Sequence, residues 1–213
     1  MQAIDSHAIN ALGIPRMLLM DHAGLAIARA VHTAVPSAST SVLICCGTGY
    51  NGGDGLAGAR HLSGWGYSVR VILIGRLDHL REEPATFARI VRALGLDVRE
   101  CASAADVSGC EEWFTQAGAI VDAVLGIGMQ GPAREPAASL IAKINASRAP
   151  VISADVPSGL DGDTGQVQGA AVRAEAKVTF GLPKQGLLTA DGPAHTGSLI
   201  IDPITIPHRL LLP

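Results

Sequence analysis

The chain has 213 residues, 48% of them hydrophobic and 16% charged, with a formal net charge of −3 at neutral pH. Such a length and apolar content can bury a sizeable core in one domain spanning residues 1–213. The weak negative charge, with two Trp and three Phe, offers neither a basic stripe nor stacking platforms for nucleic acid. Apolar runs such as 69–74 fall far short of the roughly 20 residues of a membrane span, and no basic start with an apolar signal core opens the chain. Four cysteines without C-x-x-C pairs read as structural thiols of a reducing, cytoplasmic compartment.

Apolar residues three and four apart over 4–12 and 16–35 predict two leading helices, and Pro36 ends the second. From residue 41 onward, short β-branched runs alternate with helix-period stretches, the pattern of βαβ units on a parallel sheet. Strands are predicted at 41–46, 69–74, 97–100, 119–124, 151–155, 177–180 and 198–202. Helices are predicted at 55–64, 82–94, 107–117 and 136–147. The tail, 203–213, carries three prolines and is expected to be an extended surface segment.

Between the first of these strands and the next helix lies Cys46-Gly-Thr-Gly-Tyr-Asn-Gly-Gly-Asp-Gly55. Gly47, Gly49 and Gly52 satisfy G-x-G-x-x-G, which fits either a nucleotide loop or a purely structural tight turn. Bare backbone N–H groups at a helix start attract anions such as pyrophosphate. Asn51 and Asp54 add two strong oxygen ligands that a simple turn does not need. In open parallel sheets the ligand crevice lies beyond the carboxyl ends of the strands. There the prediction puts Asn51, Asp54, Asp122, Asp155 and Ser158. Asp122 interrupts an apolar run, so its carboxylate must be paired, coordinated or opened to a crevice. Taken singly, each acid can equally serve as an N-cap or turn residue. A second glycine loop covers 125–132, and two such loops can grip the two ends of an adenine dinucleotide. Asp161-Gly-Asp-Thr-Gly165 has the look of a calcium loop, but its twelfth position is Val172 and no glutamate closes it. Neither a G-x-S-x-G elbow nor a Walker lysine is present. His61 reads as a helix-surface or core residue.

Three longer motifs stand in order: Gly49-Tyr-Asn-Gly-Gly-Asp-Gly-Leu-Ala-Gly-Ala-Arg-His-Leu62, Val121-Asp-Ala-Val-Leu-Gly-Ile-Gly128 with Gly131-Pro132, and Ser153-Ala-Asp-Val-Pro-Ser-Gly-Leu-Asp-Gly-Asp-Thr-Gly165. They resemble the YjeF N-terminal domain family, the NAD(P)H-hydrate epimerases. Leu12-Gly-Ile-Pro15, Leu19-Met-Asp-His-Ala-Gly24 and Phe180-Gly-Leu-Pro-Lys184 extend the resemblance over nearly the whole chain. It implies a three-layer Rossmann-like α/β fold with a mostly parallel central sheet. It further implies an isomerase that interconverts the R and S hydrates of NADH and NADPH at C6 of the nicotinamide ring, with a bound potassium ion. By position, Asn51, Asp122 and Ser158 become the potassium ligands. The substrate is assigned to Tyr50, Asn51, Gly52, Gly53 and Asp54, to Gly126, Ile127, Gly128, Met129, Gln130, Gly131 and Pro132, and to Asp155, which is closest to the chemistry. One carboxylate among neutral oxygens suits a large monovalent cation. Two departures are expected at the ligand rim: Asp21-His22 where the family has Glu-Asn, and Tyr50 where it has Asn.

The hydrate carries its hydroxyl on a carbon bonded to the ring nitrogen, so the C–H there is not acidic. Either the nitrogen lone pair expels the hydroxyl or the ring opens to an aldehyde, and readdition on the other face inverts the centre. Asp155 is assigned proton transfer to and from that oxygen. Whether Lys184 or another group serves the opposite face is left open by the sequence. Expected partners are a second copy in a homodimer and an S-specific NAD(P)H-hydrate dehydratase, separate or fused in a longer protein. Neither nucleic acid nor membrane is expected as a partner. A non-catalytic scaffold for dimerisation or dinucleotide sensing is the alternative.

Overall fold

The computed structural model describes residues 2–128 and 131–212. Seven strands, β1 (Ser41–Cys46), β2 (Ser68–Ile74), β3 (Asp97–Cys101), β4 (Ala119–Ala123), β5 (Val151–Ala154), β6 (Ala176–Phe180) and β7 (Ser198–Asp202), form one sheet in the order β3-β2-β1-β4-β5-β6-β7. Every neighbouring pair is parallel. The chain winds outward from β1 to β3, then returns to β4 beside β1 and continues the other way. The switch point between β1 and β4 is where parallel sheets open a crevice.

Because side chains alternate across a strand, β1 sends Val42, Ile44 and Cys46 to one face and Leu43 and Cys45 to the other. The first face is covered by α2 (Arg16–Ala34), α3 (Tyr50–Gly64) and α4 (Glu82–Ala93), through residues such as Ile27, Leu56 and Val91. The second is covered by α5 (Ala104–Ser108), α6 (Glu111–Gln116) and α7 (Ala137–Ala146), through Val107, Phe114 and Ile141. Helix α1 (Gln2–Asn10) precedes α2, and the short α8 (Gly192–Thr196) and α9 (His208–Leu211) follow β6 and β7. All four cysteines are buried free thiols. Among the described residues, no helix is long and apolar enough to cross a membrane.

The departures from expectation have physical causes. Helix α3 starts at Tyr50, not at residue 55, so Asn51 and Asp54 project from its first turns. Its glycines are poor helix formers, but packing overrides propensity. A Cβ on Gly52 would lie 1.9 Å from the Gly47 carbonyl oxygen. The expected helix over 107–117 is two short helices, the first begun early by a capping box between Ser103 and Asp106. Asp155 leaves the strand with a φ of +60°. The tail is not merely an extended surface segment, because Ile204 and Ile206 are buried in the α2-side core and α9 follows them.

Helices α2 and α3 touch where Gly24 meets Ala57 and Gly58. A Cβ at Gly24 would stand 2.5 Å from the Ala57 carbonyl carbon and 2.6 Å from the Gly58 nitrogen, both backbone atoms with no room to yield. Gly24→Ala is therefore expected to destabilise the fold by about 1–3 kcal/mol through overpacking, read as a lowered urea midpoint at unchanged slope.

Candidate active site

A cleft of about 790 Å³ opens at the switch point. Its floor is the turn from β1 into α3, with Gly47, Thr48, Gly49, Tyr50, Asn51 and Asp54, and the loop after β4, with Leu125, Gly126, Ile127 and Gly128. Asp155 and Lys184 close one end, and Asp5, Arg16 and Met20 of the two leading helices form a wall. The first N–H groups of α3 have no partner within the helix, so this end of the cleft suits an anion.

Beneath the floor lies Asp122, with no solvent exposure. Its carboxylate accepts from Ser153 Oγ at 2.8 Å, from Ser158 Oγ at 2.5 Å and from the Ser158 backbone N–H at 2.9 Å. Burial nevertheless holds its pKa above the ordinary carboxylate value, the donors offsetting only part of the desolvation. Ser158 Oγ in turn accepts from Leu125 N–H at 2.8 Å, and Asn51 Nδ2 donates to the Leu125 carbonyl at 2.8 Å. The oxygen of that amide, Asn51 Oδ1, is buried without a hydrogen-bond partner among the described residues.

Asp155 sits at the end of β5 in a left-handed backbone conformation, which Asp tolerates better than most residues. Its N–H donates to the Val178 carbonyl at 2.7 Å. One carboxylate oxygen is ion-paired with Lys184 and also accepts from Thr179 Oγ1 and Phe180 N–H, each at 3.3 Å. Lys184 is fixed by the Phe180 carbonyl at 2.9 Å and Thr179 Oγ1 at 3.2 Å. Half-buried Asp54 has no hydrogen bond among the described residues. Burial first, then the nearby Asp155 and Asp5 carboxylates, raise its pKa well above the ordinary value against an opposing pull from Lys184. Asp5 is raised in the same way, chiefly by burial.

The sequence-predicted residues do not all reach the cleft. Tyr50, Asn51, Asp54, Gly126, Ile127, Gly128 and Asp155 line the cleft. Asp122 and Ser158 are buried beneath it, while Gly52 and Gly53 turn away, toward Gly47 and Met20. Gly131 and Pro132 lie on the loop beyond the lining, and Met129 and Gln130 lie outside the described residues. Of the two family departures, Tyr50 is at the rim, its ring under the Arg16 guanidinium at 4.7 Å and its hydroxyl on Glu82. Asp21 is not; it binds Arg60 at 2.6 Å and His61 at 3.3 Å, outside the cleft lining. The loop at Asp161 is an Asx turn, with Oδ1 accepting the Asp163 and Thr164 N–H groups. Sequence reasoning missed Asp5, Arg16 and Thr48. The first two come from helices that show only an apolar period, which carries no sign of a cleft.

Lys177, on β6 next to Ser153 of β5, is fully buried, and its Nζ has no partner among the described residues. Burial lowers its pKa to about 7, partly countered by Asp155. Below pH 7 both folded and unfolded chains carry the proton and the native state bears the whole cost of a buried ammonium. As pH rises toward the unfolded value of about 10.4, the native state sheds the proton and the cost is relieved. Lys177→Met is expected to raise stability by about 1–4 kcal/mol below pH 7, with the gain shrinking toward pH 10 in parallel urea titrations.

Fold and cleft set the chain among parallel α/β proteins that bind ligands at a topological switch point. The family described as YjeF-related protein N-terminus matches residues 17–186, and the chain belongs to it. It is 40% identical over 201 residues to the NAD(P)H-hydrate epimerase of Limosilactobacillus fermentum, covering 94% of this chain and 92% of that protein. It is 46% identical over 198 residues to the bifunctional NAD(P)H-hydrate repair enzyme Nnr of Pyrobaculum aerophilum, covering 92% of this chain but 39% of that protein. The chain thus spans about two fifths of the length of this bifunctional relative. The crystal structure of yeast ynu0 superposes with a TM-score of 0.77 at 27% identity, covering 86% of this chain and 78% of the yeast chain.

Proposed function

We propose that this chain is an NAD(P)H-hydrate epimerase, inverting C6 of the hydrated nicotinamide ring in both NADH and NADPH hydrates. The observation that carries the reading is Asp155, a carboxylate fixed by Lys184, Thr179 and the Phe180 N–H at one end of a cleft lined by two glycine turns. The α3 start and the Gly126–Gly128 stretch supply N–H groups for the dinucleotide phosphates, while Asp155 exchanges a proton with the C6 hydroxyl. Lys184 anchors this carboxylate on its own side of the cleft, so it is not the group for the opposite face. Asp155→Asn preserves volume and suits the same left-handed backbone but leaves the Lys184 ammonium without its counter-charge, so fold and dinucleotide binding should survive at lowered stability. Parent protein is expected to convert the R hydrates of both dinucleotides to the S form, followed by chromatography, and Asp155→Asn to retain less than about a tenth of that rate. Tight dinucleotide binding without any conversion by the parent protein would favour the scaffold reading instead.

A potassium ion held by Asn51, Asp122 and Ser158 belongs to the same proposal. The donor set fits: all the donors are oxygens, only one carries charge, and the orphaned Asn51 Oδ1 gains a partner. A bound cation would offset the Asp122 charge and steady the Leu125 carbonyl. Thermal melting in potassium chloride is expected to exceed that in choline chloride at equal ionic strength, by mass action on the native state. Equal midpoints would argue against the ion.

The natural consumer of the S hydrate is an S-specific dehydratase, acting in the same cytoplasmic compartment. Homodimerisation is also part of this reading. It is supported by β7, one of the two edge strands of the sheet, which exposes Ile200 and Ile201.

A further inference from the structure

Inversion at C6 exchanges the two faces of the ring: oxygen leaves on one side and returns on the other. A single carboxylate fixed at one end of the cleft reaches one face. A second proton-transfer group is therefore required, and it must differ from Asp155 in protonation state if one side is to give a proton while the other takes one.

Two carboxyl groups that line the cleft, Asp5 and Asp54, have no hydrogen-bond partner among the described residues; Asp5 belongs to the α1 wall, whereas Asp54 rises from the helix that starts at the cleft floor. Asp54 projects from α3, the helix leaving β1, whereas Asp155 stands at the end of β5; β4 and its glycine loop lie between them. Strands two places apart are separated by about 9.5 Å, enough for a planar ring to lie between groups rising from either side. Asp54 makes no hydrogen bond among the described residues, so its carboxyl group is available to a ligand. The other charged groups around it are Asp155 and Lys184 across the cleft, Asp5 on α1 and, beyond Asp5, Arg16 on α2; the buried Cys46 thiol lies behind it. Three carboxyl groups thus share one ammonium, and that ammonium is committed to Asp155. Like charges crowded in a half-buried cleft cannot all ionise; of the two unpaired members, Asp5 and Asp54, burial raises Asp54 the further, so Asp54 keeps its proton.

We propose that Asp54 is the second catalytic group, the carboxylic acid that serves the ring face opposite Asp155. This rests on the epimerase reading. In one direction the Asp54 proton passes to the C6 hydroxyl, the C6–O bond breaks with its electron pair leaving on water, and the ring-nitrogen lone pair forms the C=N bond of an iminium ion. Water then adds to C6 from the other face and gives its proton to Asp155, while the C=N pair returns to nitrogen. One proton is lost by Asp54 and one gained by Asp155, and exchange with solvent resets both. No redox change occurs, and the product oxygen comes from solvent.

The test compares parent protein, Asp54→Asn and Asp155→Asn on the R hydrate in ¹⁸O-labelled water. The parent is expected to form S hydrate carrying solvent oxygen, with kcat falling as pH rises through the ionisation of Asp54. Asp54→Asn is expected to lose about 10²–10⁴ in kcat, with KM little changed and the alkaline limb gone. Stability separates this from misfolding. An acid whose pKa is raised on folding costs nothing below its unfolded value and most above its folded value, so Asp54→Asn should melt higher than the parent at pH 8 and equally at pH 4. A kcat for Asp54→Asn within about tenfold of the parent would overturn the proposal, as would an unchanged alkaline limb, retention of the original oxygen or a lowered melting point at pH 8. No conversion by the parent itself would instead sink the epimerase reading and this role along with it.

Discussion

A carboxylate sealed from solvent must find donors, and those available to Asp122 decide how the centre of the molecule is arranged. They come from Ser153 on β5 and from Ser158 just past the Asp155 turn. Through Ser158 Oγ the network reaches the Leu125 N–H at the start of the glycine loop, and through the Leu125 carbonyl it reaches Asn51 on α3. Three stretches of chain that are distant in sequence, at Asn51, at Asp122 to Leu125 and at Ser153 to Ser158, are thus tied to one buried charge. Leaving a buried hydrogen-bonding group unpaired costs about 1–3 kcal/mol, and more for a charge, so the arrangement yields at none of its points independently. The turn that carries Asp155 inherits its position from this network, and the cleft floor inherits its shape.

Above that anchored floor, the cleft is defined by unequal treatment of like groups. Asp155 has an ammonium, a hydroxyl and an N–H; Asp54, facing the same space, has none of these. Asp5 shows that the wall formed by α1 and α2 is electrically part of the site and not only a cover for the sheet. The leading helices therefore contribute both to the core, through residues such as Ile27, and to the field in which the ligand sits.

Much of this was legible in the sequence because period and punctuation reflect burial directly. All seven strands were located within a residue or so, since β-branched runs bounded by Gly or Pro have few other uses. Asp122 declared itself by interrupting such a run. Other features left no local trace. The start of α3 was masked by Gly52 and Gly53, whose composition speaks for a loop while their neighbours require a close-packed helix. The pairing of Lys184 with Asp155 joins residues 29 apart, and the lone Lys177 looks from sequence like any strand-end lysine. Asp5 sits in a helix whose pattern reports only which side is apolar. Tertiary proximity decided each of these, and one chain read by itself does not encode it in a window.

The backbone at Asp155 has a consequence for how this family can change over time. At a φ of +60° most side chains are strained, and the residues that fit are Gly, Asn and Asp itself. The codons for Asp and Asn differ by a single base. The shortest evolutionary step away from the proton transfer proposed for Asp155 is therefore also one that its backbone accepts without strain. A lineage that needs only a dinucleotide-binding scaffold can abandon the chemistry without dismantling the protein, so descendants of such a domain can keep its shape long after its turnover has gone.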